Sequence, residues 1–263
     1  MKSVPNKLTS EWKEINWVLT DVDDTITCEG MLPPEALIAM DKLQKAGIKV
    51  VAVTGACSGW CDQIAQLWPV EAALGENGAI TLKKNNGHLC IESAVSLEEM
   101  RELQSTLKQQ VLEILKDYPD LKLTLDQPYR LCEVAIDIGQ NRPKVDSKII
   151  NEVVDKIHAL GAHATASSIH INAWYGEHSK KVSSLAFLRS YGLSDEEIDE
   201  QVCYVGDSAN DQAMFATLTK SVGVANIANY WDKLTDYPSV VMTKPGGYGF
   251  AEFVDQLLEL KSS

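Results

Sequence analysis

Apolar runs and amphipathic stretches alternate at both ends of the chain, and the middle third breaks that rhythm. Residues 17–20, Trp-Val-Leu-Thr, are a short run of β-favouring side chains and predict a buried strand. Over 33–46 the apolar residues Ala36, Leu37, Ala39, Met40 and Leu43 recur at helical spacing. Pro33-Pro34 suits the first turn of that helix, and Gly47 suits its stop. Residues 48–53, Ile-Lys-Val-Val-Ala-Val, predict a second buried strand ending on Thr54-Gly55. A helix over 59–67 and a short strand at 72–74 follow, ending on Gly75-Glu-Asn-Gly78. Strand, helix and strand in this order predict a parallel sheet.

After Gly78 the pattern changes. Residues 79–82 and 88–93 flank an Asn86-Gly87 step, which signals a hairpin. A long amphipathic helix fits 96–118, and alternating runs at 121–125 and 131–138 read as strands. A second helix spans 146–160, and residues 162–174 alternate again, with His170, Asn172 and Trp174 on one face. From residue 181 the strand–helix rhythm returns: a helix over 182–191, a strand over 201–205, a helix start at 211–218, short strands at 221–224 and 239–242, and a terminal helix over 251–260. The expected fold class is α/β, a Rossmann-like doubly wound parallel sheet formed by residues 1–81 and 176–263. An inserted α+β cap domain is expected over 82–175.

Composition narrows the function classes. The chain has 263 residues, above the usual single-core size, and its hydrophobic and charged fractions are those of a globular protein. With 24 Lys and Arg against 37 Asp and Glu, the net charge is −13, which argues against nucleic-acid or anionic-membrane partners. No apolar run reaches membrane-spanning length, and residues 1–14 lack the apolar centre of a signal peptide. The six cysteines have no metal-ligand pairing, so reduced thiols and a cytoplasmic location are expected. Oligomeric state leaves no mark in the sequence.

Chemistry concentrates where strands end. Asp21-Val-Asp-Asp-Thr25 follows the first strand, and in extended backbone Asp21 and Asp23 point the same way. Two such carboxylates repel unless a cation or shared proton relieves them, and magnesium is the hard ion that suits them. The plain alternative is an acidic turn that caps a helix. Thr54-Gly55, the Lys180-Lys181 helix start and Gly206-Asp-Ser-Ala-Asn-Asp211 lie at comparable ends. Each alone could be a cap, a turn or a solvated lysine. Together they offer carboxylates for a cation, a hydroxyl and amides for phosphate oxygens, and a lysine for developing charge.

This set resembles the haloacid dehalogenase superfamily of phosphohydrolases over nearly the whole chain. Asp21-Val-Asp23-Asp24-Thr25 matches the family's Asp-x-Asp-x-Thr motif, and Thr54-Gly55 matches its second motif. Lys181, with Leu185 four residues on, best matches the third motif's lysine, while Gly206-Asp207-Ser-Ala-Asn210-Asp211 matches the fourth. The long gap between motifs two and three is similar to the Cof-type branch, which includes sucrose-phosphate and mannosyl-phosphoglycerate phosphatases and eukaryotic phosphomannomutases. So is Gly246-Gly-Tyr-Gly249 before the final helix. Asp24, Ala56 and Val182 depart from the family's commonest residues.

The resemblance implies Asp21 as nucleophile and Asp23 as general acid and base. It implies Mg2+ held by Asp21, Asp23 through its backbone carbonyl, Asp207 and Asp211. Thr54, Gly55, Lys181 and Asn210 would bind the phosphoryl group. Arg130, Glu133, His170 and Asn172 in the insertion are candidates for reading the substrate, and Trp174 for stacking on a sugar. His88, His158, His163 and His178 are expected to face solvent. The expected partner is a small phosphorylated metabolite, a sugar phosphate hydrolysed through an aspartyl phosphate. A phosphomutase using the same aspartyl phosphate, an inactive binding protein on this fold and a hydrolytic dehalogenase are the alternatives, in that order.

Overall fold

The computed structural model describes residues 4–167 and 169–262. The chain begins with β1 (Trp17–Thr20), α1 (Pro34–Lys45), β2 (Lys49–Val53), α2 (Ser58–Leu67) and β3 (Ala72–Gly75). A hairpin of β4 (Ile80–Asn85) and β5 (His88–Ser93) leads to α3 (Leu97–Ile114). Then come β6 (Lys122–Leu123), β7 (Val134–Asp137), α4 (Ser147–His158), β8 (His163–Ala166) and β9 (His170–Trp174). The last third holds α5 (Lys180–Ser190), α6 (Asp195–Gln201), β10 (Val202–Gly206), α7 (Gln212–Phe215), β11 (Ser221–Gly223), β12 (Val240–Val241) and α8 (Gly246–Ser262).

These strands form two sheets. The larger has eight strands in the order β12-β11-β10-β1-β2-β3-β4-β5, parallel from β12 to β3, with β4 and β5 antiparallel. Alternate side chains face opposite helical layers. Val18, Val50 and Val205 meet Met40 of α1 and Phe253 of α8, while Leu19, Val51 and Tyr204 meet Phe187 of α5 and Ile198 of α6. Burying each such side chain contributes roughly 1.5–3 kcal/mol, so the two layers hold the sheet from both sides. The smaller sheet, β6-β7-β9-β8, is antiparallel and packs one face on α3 and α4 through Val134, Ile136, Ile171 and Ala173.

Three sequence expectations change. The hairpin expected to open the insertion at residue 82 instead extends the large sheet, because Ile80 and Leu82 are buried against Ile64 and Ala65 of α2. The alternating stretch 162–174 is two strands, turned where the Ser167 hydroxyl accepts from the Ile169 and His170 amides. Gly246 to Gly249 are the first turn of α8 rather than a loop before it. There a Cβ on Gly247 would meet the Ala36 Cβ at 2.9 Å, so glycine lets α8 approach α1. α6 went unread, although Ser194 and Glu197 form a capping box that was visible in the sequence. Among the described residues no helix is long and apolar enough to cross a membrane.

β1 lies between β10 and β2, with Thr20 level with Val205 and with Ala52. The residues that follow these three strands therefore leave the sheet at one edge. In open α/β sheets that edge is where ligands bind.

Candidate active site

Asp21 continues the line of β1, its amide donating to the Val205 carbonyl at 2.9 Å. One side-chain oxygen of Asp21 lies 2.6 Å from Lys180 Nζ, and the same ammonium lies 2.9 Å from Asp211 Oδ1. Asp21, Lys180 and Asp211 are all buried. The lysine is therefore Lys180, and Lys181 is exposed. Helix phase explains the correction. Lys180, Ser184, Phe187 and Leu188 form the buried face of α5, and Lys181 is turned about 100° away from it. Counting four residues back from Leu185 picked the wrong face, because Leu185 is only partly buried.

Asp211 is saturated with donors. Oδ1 accepts from Lys180 and from the Tyr204 hydroxyl at 2.6 Å, and Oδ2 accepts from the Asp207 and Ser208 amides. Asp207 is less satisfied. It accepts from Asn226 Nδ2 at 2.8 Å and from the Thr25 hydroxyl at 3.4 Å. Asp21 Oδ2 has no donor among the described residues. Ligand oxygens of Asp21, Asp207 and Asp211 all lie within 4.8 Å of one another. Sequence reasoning missed Tyr204 and Asn226. Tyr204 sits inside an apolar strand and gave no signal. Asn226 follows β11 and could have been found as another polar residue beyond a strand end; its side chain also bonds the Asp24 carbonyl and the Gly246 amide.

The electrostatics follow from this crowding. Burial, opposed by Lys180 and reinforced by Asp211 and Asp23, pushes the Asp21 carboxyl up to about 7. Burial and the neighbouring Asp211 and Asp21 push Asp207 well above the usual carboxylate range. Burial alone would lower the Lys180 ammonium, yet Asp21 and Asp211 raise it. Asp23 opens into the space above β1, where the surrounding protein displaces solvent and raises its pKa despite the attraction of Lys180. Three carboxylates face one ammonium, a deficit of positive charge that a divalent cation would relieve. The donor set, oxygen only, suits a hard ion.

Thr54 is buried, and its hydroxyl oxygen accepts from the Ala56 amide at 3.0 Å. Gly55 and Asn210 line the chamber beside Asp21, together with His170 and Asn172 of β9. That chamber is narrow, about 30 Å³. At Asp23, Ile169 and His170 it adjoins a wider cavity of about 370 Å³, whose walls include Asp24, Glu29, Asp126, Gln140, Trp60 and Trp68. Among the described residues neither cavity is lined by a lysine or arginine.

The other insertion residues sit elsewhere. Arg130 and Glu133 are fully buried in the seam between the two sheets and reach neither cavity, contrary to the expectation that they read a substrate. The reason is that protein groups occupy all their polar atoms nearest the site: Arg130 pairs with Asp126 and Glu133, and Glu133 accepts from Asn77 and Asn172. Burial pushes the Glu133 carboxyl up to about 8, opposed by the Arg130 guanidinium and by the Asn77 and Asn172 amide donors on its oxygens. His170 bonds Gln140 at 2.7 Å, and burial lowers it to about 4, so it stays neutral. Trp174 is sandwiched by His163 and His178 rather than open to a sugar, and His178 is half-buried there, not solvent-facing.

Comparison with known proteins agrees with this picture. Residues 18–117 match a family model described as haloacid dehalogenase-like hydrolase. The chain is 26% identical over 249 residues to phosphoglycolate phosphatase 1 of Saccharolobus solfataricus, covering 93% of this chain and 96% of that one. A phosphoglycolate phosphatase of Methanobrevibacter smithii is 26% identical over 227 residues, covering 85% and 91%. Among solved structures, protein 0175 of Thermoplasma acidophilum has a TM-score of 0.71 at 17% identity, covering 94% of this chain and 99% of that one. The sucrose-phosphatase of Synechocystis, solved with sucrose and phosphate, has a TM-score of 0.66 at 13% identity, covering 93% and 98%.

Proposed function

We propose that this chain is a haloacid dehalogenase-like phosphatase that carries out Mg2+-dependent hydrolysis of a small phosphate monoester through an aspartyl phosphate on Asp21. One observation carries the reading: Asp21 and Asp211 pair with the ammonium of Lys180, Asp207 lies beside them, and among the described residues Asp21 keeps one oxygen without a donor. Asp21 attacks phosphorus as the ester P–O bond breaks, and Asp23, whose carboxyl the surrounding protein shifts upward, gives a proton to the leaving oxygen. Asp23 then takes a proton from water. That water attacks phosphorus, the bond to Asp21 breaks, and the carboxylate is restored. Lys180, the Thr54 hydroxyl and the Gly55 amide offset charge on the phosphoryl oxygens.

Asp21, Asp207 and the Asp23 carbonyl would hold the magnesium, which when bound supplies positive charge for the phosphoryl oxygens and keeps Asp21 ionised. Asp211, already saturated, holds Lys180 and the turn that presents Asp207. The four-stranded unit acts as the cap over this edge.

The wider cavity supports a sugar-type leaving group. Its carboxylates and Gln140 accept from hydroxyls, and Trp60 and Trp68 offer flat apolar faces. A leaving group that carries a carboxylate would meet Asp24 and Glu29 with no lysine, arginine or charged histidine to complement it. This lining favours a sugar phosphate over the phosphoglycolate in the names of the relatives. The deciding experiment measures phosphate release from sugar phosphates and phosphoglycolate, with and without Mg2+ and without a bisphosphate activator. Sugar phosphates are expected to rank first, and Asp21→Asn to be inactive. Turnover by Asp21→Asn, or phosphoryl transfer to sugar in place of phosphate release, would overturn the mechanism; preference for phosphoglycolate would overturn the leaving-group assignment.

A further inference from the structure

The Gly55 carbonyl receives two donors from the cap: Arg130 Nη1 at 2.9 Å and Asn172 Nδ2 at 3.0 Å. At the other end of the same peptide, the Ala56 amide donates to Thr54 Oγ1 at 3.0 Å. Donors at a carbonyl polarise its peptide and strengthen the N–H on the far side. With its oxygen accepting from Ala56, the Thr54 hydroxyl keeps its own proton to give, and among the described residues no acceptor takes it. We propose that Arg130 and Asn172 are positioning residues, which act on the Thr54 hydroxyl through the Gly55–Ala56 peptide and so complete the phosphoryl-binding loop only when the cap is docked. This rests on the phosphatase reading above.

Three further observations support the arrangement. Glu133 Oε2 accepts from both Arg130 Nη1 and Asn172 Nδ2, at 3.0 and 2.8 Å, so one carboxylate aims both donors. Both Nδ2 contacts of Asn172 are acceptors, which fixes the amide with its nitrogen toward Gly55. Position 55 must be glycine for this approach, since a Cβ there would meet Asn172 Nδ2 at 2.8 Å and Asn77 Nδ2 at 3.3 Å. Docking itself is set by Glu76, whose carboxylate takes the amides of Leu131, Cys132 and Glu133 at 2.7–2.8 Å. The donors on Gly55 are thus in register only with the cap seated on Glu76.

A double-mutant cycle separates action through Thr54 from a substrate contact or a packing role. Asn172→Ala is made in the wild-type and Thr54→Val backgrounds. Activity on a small aryl phosphate and calorimetric affinity for inorganic phosphate with Mg2+ are then measured on the full chain. In the wild-type background both should fall about 10- to 100-fold, the scale of lost positioning partners. In the Thr54→Val background the same substitution should cost less than about twofold, because the group it acts on is gone. Arg130→Lys, which keeps the charge and moves the donor, is read in the same two backgrounds and carries the test should Asn172→Ala not fold. Equal losses in both backgrounds overturn the proposal while the enzyme remains active. A wild-type protein that neither binds nor releases phosphate overturns the phosphatase reading and this inference with it.

Discussion

Two buried clusters in this molecule have the same formal make-up and opposite consequences. At the edge of the large sheet Asp21, Asp207 and Asp211 face Lys180; in the seam Glu76, Glu133 and Asp126 face Arg130. Each has three carboxylates and one cation. In the seam the remaining charge is met by N–H groups: Glu76 takes four backbone amides, from Ser58, Leu131, Cys132 and Glu133, and Glu133 takes Arg130, Asn77 and Asn172. At the sheet edge, among the described residues, an oxygen of Asp21 has no donor and Asp207 has few. A satisfied cluster is a joint, and an unsatisfied one is a place where a ligand completes the count.

That contrast can be broken most sharply with the two adjacent lysines. Lys180→Met should lower kcat/KM on an aryl phosphate about 10³-fold or more, the scale of losing a charged donor at a developing charge. Lys181→Met should leave it within about twofold, and a larger loss from Lys181 would undo the assignment. Chelation with EDTA should likewise silence the enzyme until Mg2+ is restored, and saturating Mg2+ should raise stability by about 2–3 kcal/mol at a hundredfold excess over its dissociation constant. A melting temperature indifferent to Mg2+ would argue that the edge cluster holds no ion.

Stability should respond with opposite signs in the two places. Glu76→Gln leaves buried amides short of acceptors and should cost about 2–4 kcal/mol in urea unfolding. Asp207→Asn relieves like-charge repulsion and should stabilise the metal-free protein by about 1 kcal/mol while removing activity. Loss of stability from both would erase the distinction. The smallest effect concerns His178, which burial lowers to about 4. Its folded value lies below the unfolded value of about 6.5, so the unfolded chain takes up the proton first. The neutral ring's contribution is therefore present above about pH 6.5 and lost toward pH 4. His178→Gln should remove about 1 kcal/mol of the stability lost between pH 7 and pH 5.5 in chemical denaturation; an unchanged acid limb would show that the ring titrates normally.

Legibility differed between the same two regions. Asp21, Thr54 and Asp207 were readable because each directly follows a run of strand-forming residues, with Asp23 and Asp211 in the turns just beyond, and a parallel sheet brings strand ends to one edge whatever the sequence gap. The insertion was readable as a change of rhythm, but its border was misjudged at the β4–β5 hairpin. The Asn-Gly turn identified the hairpin, whereas the sheet that it joins depends on Ile64 and Ala65, which belong to another helix. His170 and Asn172 were rightly grouped by alternation on one face of β9, which does line the chamber. Arg130 and Glu133 were polar residues in an apolar stretch, and that pattern alone does not distinguish a substrate contact from a closed ion pair.

The sequence by itself determined the strand–helix order, the acidic strand ends and so the edge where chemistry concentrates, because hydrophobic periodicity and strand termini are local properties. Which lysine turns inward, that Arg130 faces Glu133 and Gly55 rather than a substrate, and that Tyr204 and Asn226 support the carboxylates were decided only by the tertiary structure. Those outcomes depend on what a side chain meets across a packing interface, and its partners there lie up to 202 positions away along the chain.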